Sequence, residues 1–259
     1  MRLEGKAAII TGGGGGMGGA QARLFAKEGA GVCVADVNLE AATAVADDIN
    51  AGGGRAIPFA LDVRQSSQWA DAVTAAEDKF DVVNILCNNA GANYRVSFDD
   101  QTEEMWRTII DIGLTGSFLG IKAVIPAMRR AGGGVILNMG SLAAIRPGRG
   151  SPAYGASKMG MVGLTRSAAA SYAADNIRCV LISPGHVDTD FIRKDNPHSP
   201  NDWSTSIDNP DNLYRRLSST PLGRLQAPED IAKAFLFAAS DDAAMITGSM
   251  ITVDGGAAI

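Results

Sequence analysis

Short, uninterrupted apolar runs alternate with helix-patterned segments along the whole chain. The apolar runs cover residues 6–11, 31–36, 56–63, 82–87, 134–139, 177–183 and 249–253. Helical patterns occupy 20–28, 39–50, 66–79, 103–130, 151–174 and 228–240. A strand that is apolar on both faces belongs in a parallel sheet covered on both sides. The expected fold is therefore α/β, a single doubly wound parallel sheet of about seven strands with helices on both faces, Rossmann-like. Pro58 lies inside the third run and cannot donate to a central ladder, so that strand belongs at an edge. No composition break divides the chain, so residues 1–259 read as one domain. Its ligand belongs at the carboxyl ends of the strands.

Composition removes several functions. Lys plus Arg is 23 and Asp plus Glu is 28, a formal net charge of −5. That disfavours nucleic acid, whose phosphates need clustered positive charge. No run approaches the roughly 20 apolar residues of a membrane span. The first residues lack the apolar core of a secretion signal, and the expected location is cytoplasmic. With only His186 and His198, no histidine-rich metal site is expected. Cys33, Cys87 and Cys179 each lie in an apolar run and read as buried thiols, not as a disulfide or metal site.

Thr11-Gly12-Gly13-Gly14-Gly15-Gly16-Met17-Gly18 joins the first strand to the first helix. Gly12, Gly16 and Gly18 stand where a tight turn, a close approach to a pyrophosphate and close helix–strand packing all exclude a side chain. The helix N-terminus adds free N–H groups and a positive dipole end. Asp36 ends the second strand, where a carboxylate accepts from both adenosine ribose hydroxyls and repels a 2′-phosphate. The expected cofactor is NAD. Asp62 and Val63, after the third strand, are placed near the adenine edge. Tyr154 and Lys158 share one helix face at i, i+4 spacing. An ammonium beside a phenol favours the phenolate, which makes tyrosine a usable general acid/base. Ser141, past the fifth strand, is set to hydrogen-bond a substrate oxygen.

Together these motifs resemble the short-chain dehydrogenase/reductase family over essentially the whole chain. TGxxxGxG stands at 11–18, NNAG at Asn88-Asn89-Ala90-Gly91, the serine at Ser141, YxxxK at Tyr154–Lys158, and the proline-glycine motif at Pro184-Gly185. The resemblance implies that Tyr154 exchanges the proton, Lys158 binds the nicotinamide ribose and Ser141 orients the substrate. Met17 joins Gly12, Gly16 and Gly18 at the cofactor. Asn89, Ala90 and Gly91 line its cleft, Asn88 is structural, and Pro184, Gly185, Val187 and Thr189 contact the nicotinamide side. The resemblance also implies a homotetramer, to which the small-residue helix 151–174 and the segment 254–259 fit.

One position departs from the family. Gly113, in Gly113-Leu114-Thr115-Gly116, replaces the asparagine that helps hold a relay water. Its backbone carbonyl is retained. Either that carbonyl suffices, or Asp111 or a shifted water substitutes, or activity is weak or lost. The first is expected because Ser141, Tyr154 and Lys158 are intact, with Gly113→Asn expected to be tolerated. The region 186–225 corresponds to a substrate-covering lid. Asn93, Tyr94, Arg95, Leu142, Ala143 and Ile145 are candidates to face the pocket. Arg95 or Arg146 pairs with a substrate carboxylate or is a solvated surface residue, and His186 touches substrate or is structural. The leading function is NAD-dependent interconversion of a secondary alcohol and a ketone. The alternatives are a 3-oxoacyl thioester reductase and a non-catalytic dinucleotide-binding sensor or scaffold.

Overall fold

A computed structural model describes residues 1–148 and 150–259. Its strands are β1 Ala7–Thr11, β2 Gly31–Asp36, β3 Arg55–Ala60, β4 Ile85–Asn88, β5 Gly134–Met139, β6 Ile177–Pro184 and β7 Met250–Val253. All pair in parallel, in the order β3-β2-β1-β4-β5-β6-β7. The order reverses between β1 and β4, and a crevice opens there at the strands' carboxyl ends. β3 is an edge, as Pro58 requires.

The helices are α1 Gly16–Lys27, α2 Leu39–Ala51, α3 Ser66–Phe80, α4 Glu103–Ile110, α5 Gly116–Arg130, α6 Pro152–Tyr172, α7 Asp190–Arg193, α8 Pro210–Ser218 and α9 Pro228–Ala239. Alternate strand residues feed two cores. Ala8, Ile10, Val32, Val34 and Ile85 pack with Phe25, Val45 and Phe235 of α1, α2 and α9. Ile9, Cys33, Leu86 and Ile136 pack with Trp69, Val124 and Ala168 of α3, α5 and α6. The three cysteines are buried and free, and burial pushes the Cys33 thiol up to about 12.

Three elements differ from the sequence expectation. β3 stops at Ala60, because Leu61 makes the last bond to Asp36 and Asp62 then turns the chain. β4 begins at Ile85, after Asn84 has tied itself to Ala7 through its backbone and its side chain. The single helix expected over 103–130 carries a π turn at Asp111–Thr115, centred on Gly113. Such a turn inserts a residue into the helical ladder and often marks a functional site. By length and composition the stretch Glu103–Arg130 would suit a membrane span, but half of its 18-residue apolar window is buried in this fold. The region 186–225 holds α7 and α8 between irregular segments.

Candidate active site

The β1–α1 turn is packed on one side and open on the other. Gly12 (φ 62°) and Gly16 (φ 50°) adopt left-handed backbone that only glycine enters freely. A Cβ on Gly18 would lie 2.1 Å from the Gly12 carbonyl oxygen and 2.6 Å from Asn89 Nδ2. A Cβ on Gly15 would meet nothing within 4 Å. The turn therefore presses against β1 and β4 and leaves a bare face at the start of α1. That cradle fits a pyrophosphate.

Side chains fix the turn to its neighbours. The Thr11 hydroxyl accepts from the Asn89 and Ala90 N–H groups, both at 3.0 Å, and donates to the Cys87 carbonyl at 3.3 Å. Asn89 Nδ2 donates to the Gly12 carbonyl at 3.4 Å. Sequence reasoning took Thr11 only as the first letter of the motif; its cross-strand role needs β1 and β4 side by side. The Asp36 carboxylate accepts from the Gly14 N–H at 3.0 Å and the Asn38 N–H at 2.9 Å. It holds the turn as well as standing at the end of β2. Asn88 is structural: Nδ2 donates to Asn138 Oδ1 at 2.9 Å and to the Ser117 carbonyl at 3.3 Å. Gly91 borders open space. Asp62 is engaged by Arg64 (2.7–3.1 Å), which holds its carboxyl below the usual range. Val63 accepts from Trp69 Nε1 at 2.9 Å and packs where Gly116 has no side chain.

A cavity of about 580 Å³ opens at the carboxyl ends of β5 and β6. It brings together Ser141 and Tyr154 with Met17, Pro184, Gly185, Val187 and Thr189. Ser141 follows β5 and accepts from the Ala143 N–H at 3.1 Å, which fixes its hydroxyl. Tyr154 sits in the first turns of α6. Burial raises its phenol above the ordinary value; a hydrogen bond with Ser141 and the positive charge of Arg95 act the other way. Lys158, 4% exposed, donates to the Met139 carbonyl at 2.8 Å. Its Nζ lies 5.4 Å from the Tyr154 ring centroid. Burial brings this ammonium down to about 8.

A family model described as enoyl-(acyl carrier protein) reductase matches residues 13–258. The 2,5-dichloro-2,5-cyclohexadiene-1,4-diol dehydrogenase of Sphingobium indicum is 38% identical over 98% of this chain and 97% of its own. The chain belongs to the short-chain dehydrogenase/reductase family. Two solved members, each 34% identical, share its fold. A 7α-hydroxysteroid dehydrogenase with NADH and 7-oxo glycochenodeoxycholic acid has a TM-score of 0.89, over 98% of this chain and 95% of its own. A 3-ketoacyl-(acyl-carrier-protein) reductase of Brucella melitensis with NADH has 0.86, over 99% of this chain and 100% of its own. The chain is thus an oxidoreductase-type short-chain dehydrogenase/reductase with a nicotinamide dinucleotide fold.

Within this short-chain dehydrogenase/reductase, Gly113 occupies a filled position. A Cβ there would lie 2.6 Å from Ser157 Oγ, a buried hydroxyl without a hydrogen-bond partner among the described residues. The Gly113 carbonyl accepts from Ser117 Oγ at 2.9 Å. From the sequence, asparagine is expected to be tolerated here; in the fold that requires Ser157, the neighbour of Lys158 on α6, to turn away. Sequence reasoning did not single out Arg216 within the region 186–225. The structure sets it against His186 at 3.2 Å, in the wall of the cavity.

Proposed function

We propose that this short-chain dehydrogenase/reductase interconverts a ring-borne secondary alcohol and its ketone with NAD(H). The observation that carries the reading is the Ser141–Tyr154 hydroxyl pair facing one cavity, with Lys158 buried behind it. A nicotinamide dinucleotide held in the cradle at the start of α1 would supply the hydride acceptor or donor for the carbinol carbon. Tyr154 takes the proton of the substrate hydroxyl in oxidation and gives it to the carbonyl oxygen in reduction. Ser141 hydrogen-bonds the same oxygen and holds it toward Tyr154. The Arg95 charge favours phenolate against the opposing effect of burial. Met17, Pro184, Gly185, Val187 and Thr189 line the nicotinamide side.

Asp36 supports NAD over NADP. Its carboxylate makes no ion pair among the described residues, and at the end of β2 it would accept from ribose hydroxyls and repel a 2′-phosphate. The ring preference draws on the relatives that act on a cyclohexadiene diol and a steroid ketone. Exposed Trp106, Phe118 and Met159 on α4, α5 and α6 support assembly into a homotetramer.

A 3-oxoacyl thioester reductase is the second reading. Arginines at the cavity, with Arg146 and Arg215 exposed, favour it, as does the ketoacyl reductase neighbour. Turnover with cyclic alcohols, cyclic ketones and an acetoacetyl thioester, each with NAD(H) and NADP(H), tests the choice. The expected result is NAD-linked oxidation of a cyclic alcohol, lowered about 100- to 10,000-fold by Tyr154→Phe with NADH binding retained. Preference for the thioester, or for NADP(H), would replace this reading.

A further inference from the structure

The cavity that holds Ser141 and Tyr154 carries an unbalanced positive charge. Among the described residues, Arg95, Arg146, Arg215 and Arg216 line it, and no Asp or Glu does. Yet the chain as a whole has more acids than bases, 28 against 23. Arginines elsewhere meet carboxylates: Arg64 with Asp62, Arg129 with Asp175, Arg193 with Asp188 and Asp208. Among the described residues, none of the four cavity arginines meets an Asp or Glu side chain, and Arg146 instead donates to the Ala257 carbonyl at 3.0 Å and to the terminal Ile259 oxygen at 3.2 Å.

Two of the four are not ordinary surface charges. Arg95 and Arg216 are each only partly exposed. Arg95 comes from the loop after β4. Its Nη1 donates to Ser199 Oγ at 2.8 Å and to the Pro200 carbonyl at 3.4 Å, and its Nη2 to the Phe191 carbonyl at 2.9 Å. Its guanidinium lies 5.3 Å from the Phe191 ring centroid. These partners are neutral. They fix the plane of the guanidinium but leave its charge uncompensated, and an arginine carries five N–H donors. Arg216, from α8, has one contact, to His186 Nδ1 at 3.2 Å. Burial and the charge of Arg216 together bring Arg95 down to about 10, and burial and the same charge bring His186 down to about 4, so it stays neutral. Two sheltered like charges without a counter-ion are costly in a dry site. They become favourable when an oxoanion accepts from both.

We propose that Arg95 and Arg216 receive an anionic group of the substrate, a carboxylate or sulfonate carried on the ring whose hydroxyl reaches Ser141 and Tyr154. The inference deepens the dehydrogenase reading and rests on it for the position of the hydroxyl. One end of the substrate is gripped by lid arginines and the other by the catalytic hydroxyls. Because α8 supplies Arg216 and the β4 loop supplies Arg95, the anion also ties the lid to the body of the fold. A pantetheine phosphate has the same oxoanion chemistry, and the experiment separates the two sources.

Calorimetric titrations of the protein and of its NADH complex use cyclohexanecarboxylate, cyclohexanesulfonate, cyclohexanol and coenzyme A as probes. The carboxylate or the sulfonate is expected to bind at least roughly 10-fold more tightly than cyclohexanol, as charged hydrogen bonds allow. Arg216→Leu or Arg95→Leu removes that margin, and Arg216→Lys keeps part of it. NADH affinity, measured on each variant, reports an intact fold. Equal binding of the ring acids and cyclohexanol overturns the proposal. So does a margin that survives both leucine variants. Tight coenzyme A binding without ring-acid binding also overturns it, in favour of a thioester. Ring-acid preference without turnover of any ring alcohol keeps the anion site and removes the dehydrogenase reading.

Discussion

The cofactor side and the substrate side of the crevice are built from different materials. The cofactor side is mostly backbone: the bare turn between β1 and α1, the N–H groups that Asp36 and Thr11 gather, and Gly91 beside open space. Its partners lie at adjacent strand ends, and its geometry follows from the parallel sheet itself. The substrate side is mostly side chain. Arg95, His186, Phe191 and Arg216 come from the β4 loop, the β6 exit, α7 and α8. A turn made of glycine backbone has one way to pack, so it tolerates almost no change. A wall of side chains on loops accommodates exchange, so that is where members of one fold diverge in substrate.

Substitutions test that contrast, beginning on the cofactor side. Gly18→Ala forces a Cβ to 2.1 Å from the Gly12 carbonyl oxygen, so α1 or the turn must move by about an ångström. A displacement of that size costs about 100-fold in a positioned site. NADH affinity should fall by at least that factor, with a lower Tm. Gly15→Ala points into open space and should leave the fold within about 0.5 kcal/mol. If Gly18→Ala binds NADH normally, the turn is not the rigid half of the site.

Gly113→Asn lies at the seam between the two sides and should show a smaller effect. Crowding Ser157 should cost about 1–3 kcal/mol of stability, read from denaturant melts. Adding Ser157→Ala should recover most of it. Full stability of the single variant would show that Ser157 turns freely, and the seam would then belong with the tolerant side.

The smallest effect is expected at His186. Its folded-state value of about 4 lies below the ordinary 6.5, so the unfolded chain binds more protons between those limits. Stability from this group is complete above pH 6.5 and is lost as pH falls toward 4. Melts of the wild type and His186→Asn at pH 7 and pH 4.5 should show a shallower acid loss in the variant. Equal slopes would mean that His186 titrates as if in water, and that Arg216 does not press on it.

Much of this is legible in the amino-acid sequence. Alternating apolar runs predict the sheet and its two covered faces. Pro58 predicts which strand lies at an edge, because its missing N–H is a property of one residue. The glycines of 12–18, with Asp36 after the next strand, mark the cofactor turn; Ser141, Tyr154 and Lys158 mark the chemistry. The π turn at Asp111–Thr115 is not legible, since it depends on how α5 meets Ser157 on α6 and Val63 after β3. The helper charge on Tyr154 is expected from Lys158, its partner on the same helix; in the fold the charge that acts on the phenol is that of Arg95, and burial outweighs it.

Local rules thus determine the elements and the motifs, because hydrophobic period, glycine backbone freedom and i, i+4 spacing act between near neighbours. Which charges meet is decided by the tertiary fold. Arg95 reaches Ser199 across 104 positions and Arg216 reaches His186 across 30. Whether an arginine in the sequence is a solvated surface charge or half of an anion site depends on burial and on which carboxylates lie within reach. Those are long-range quantities, set only when the chain has folded and α7 and α8 meet the loop after β4.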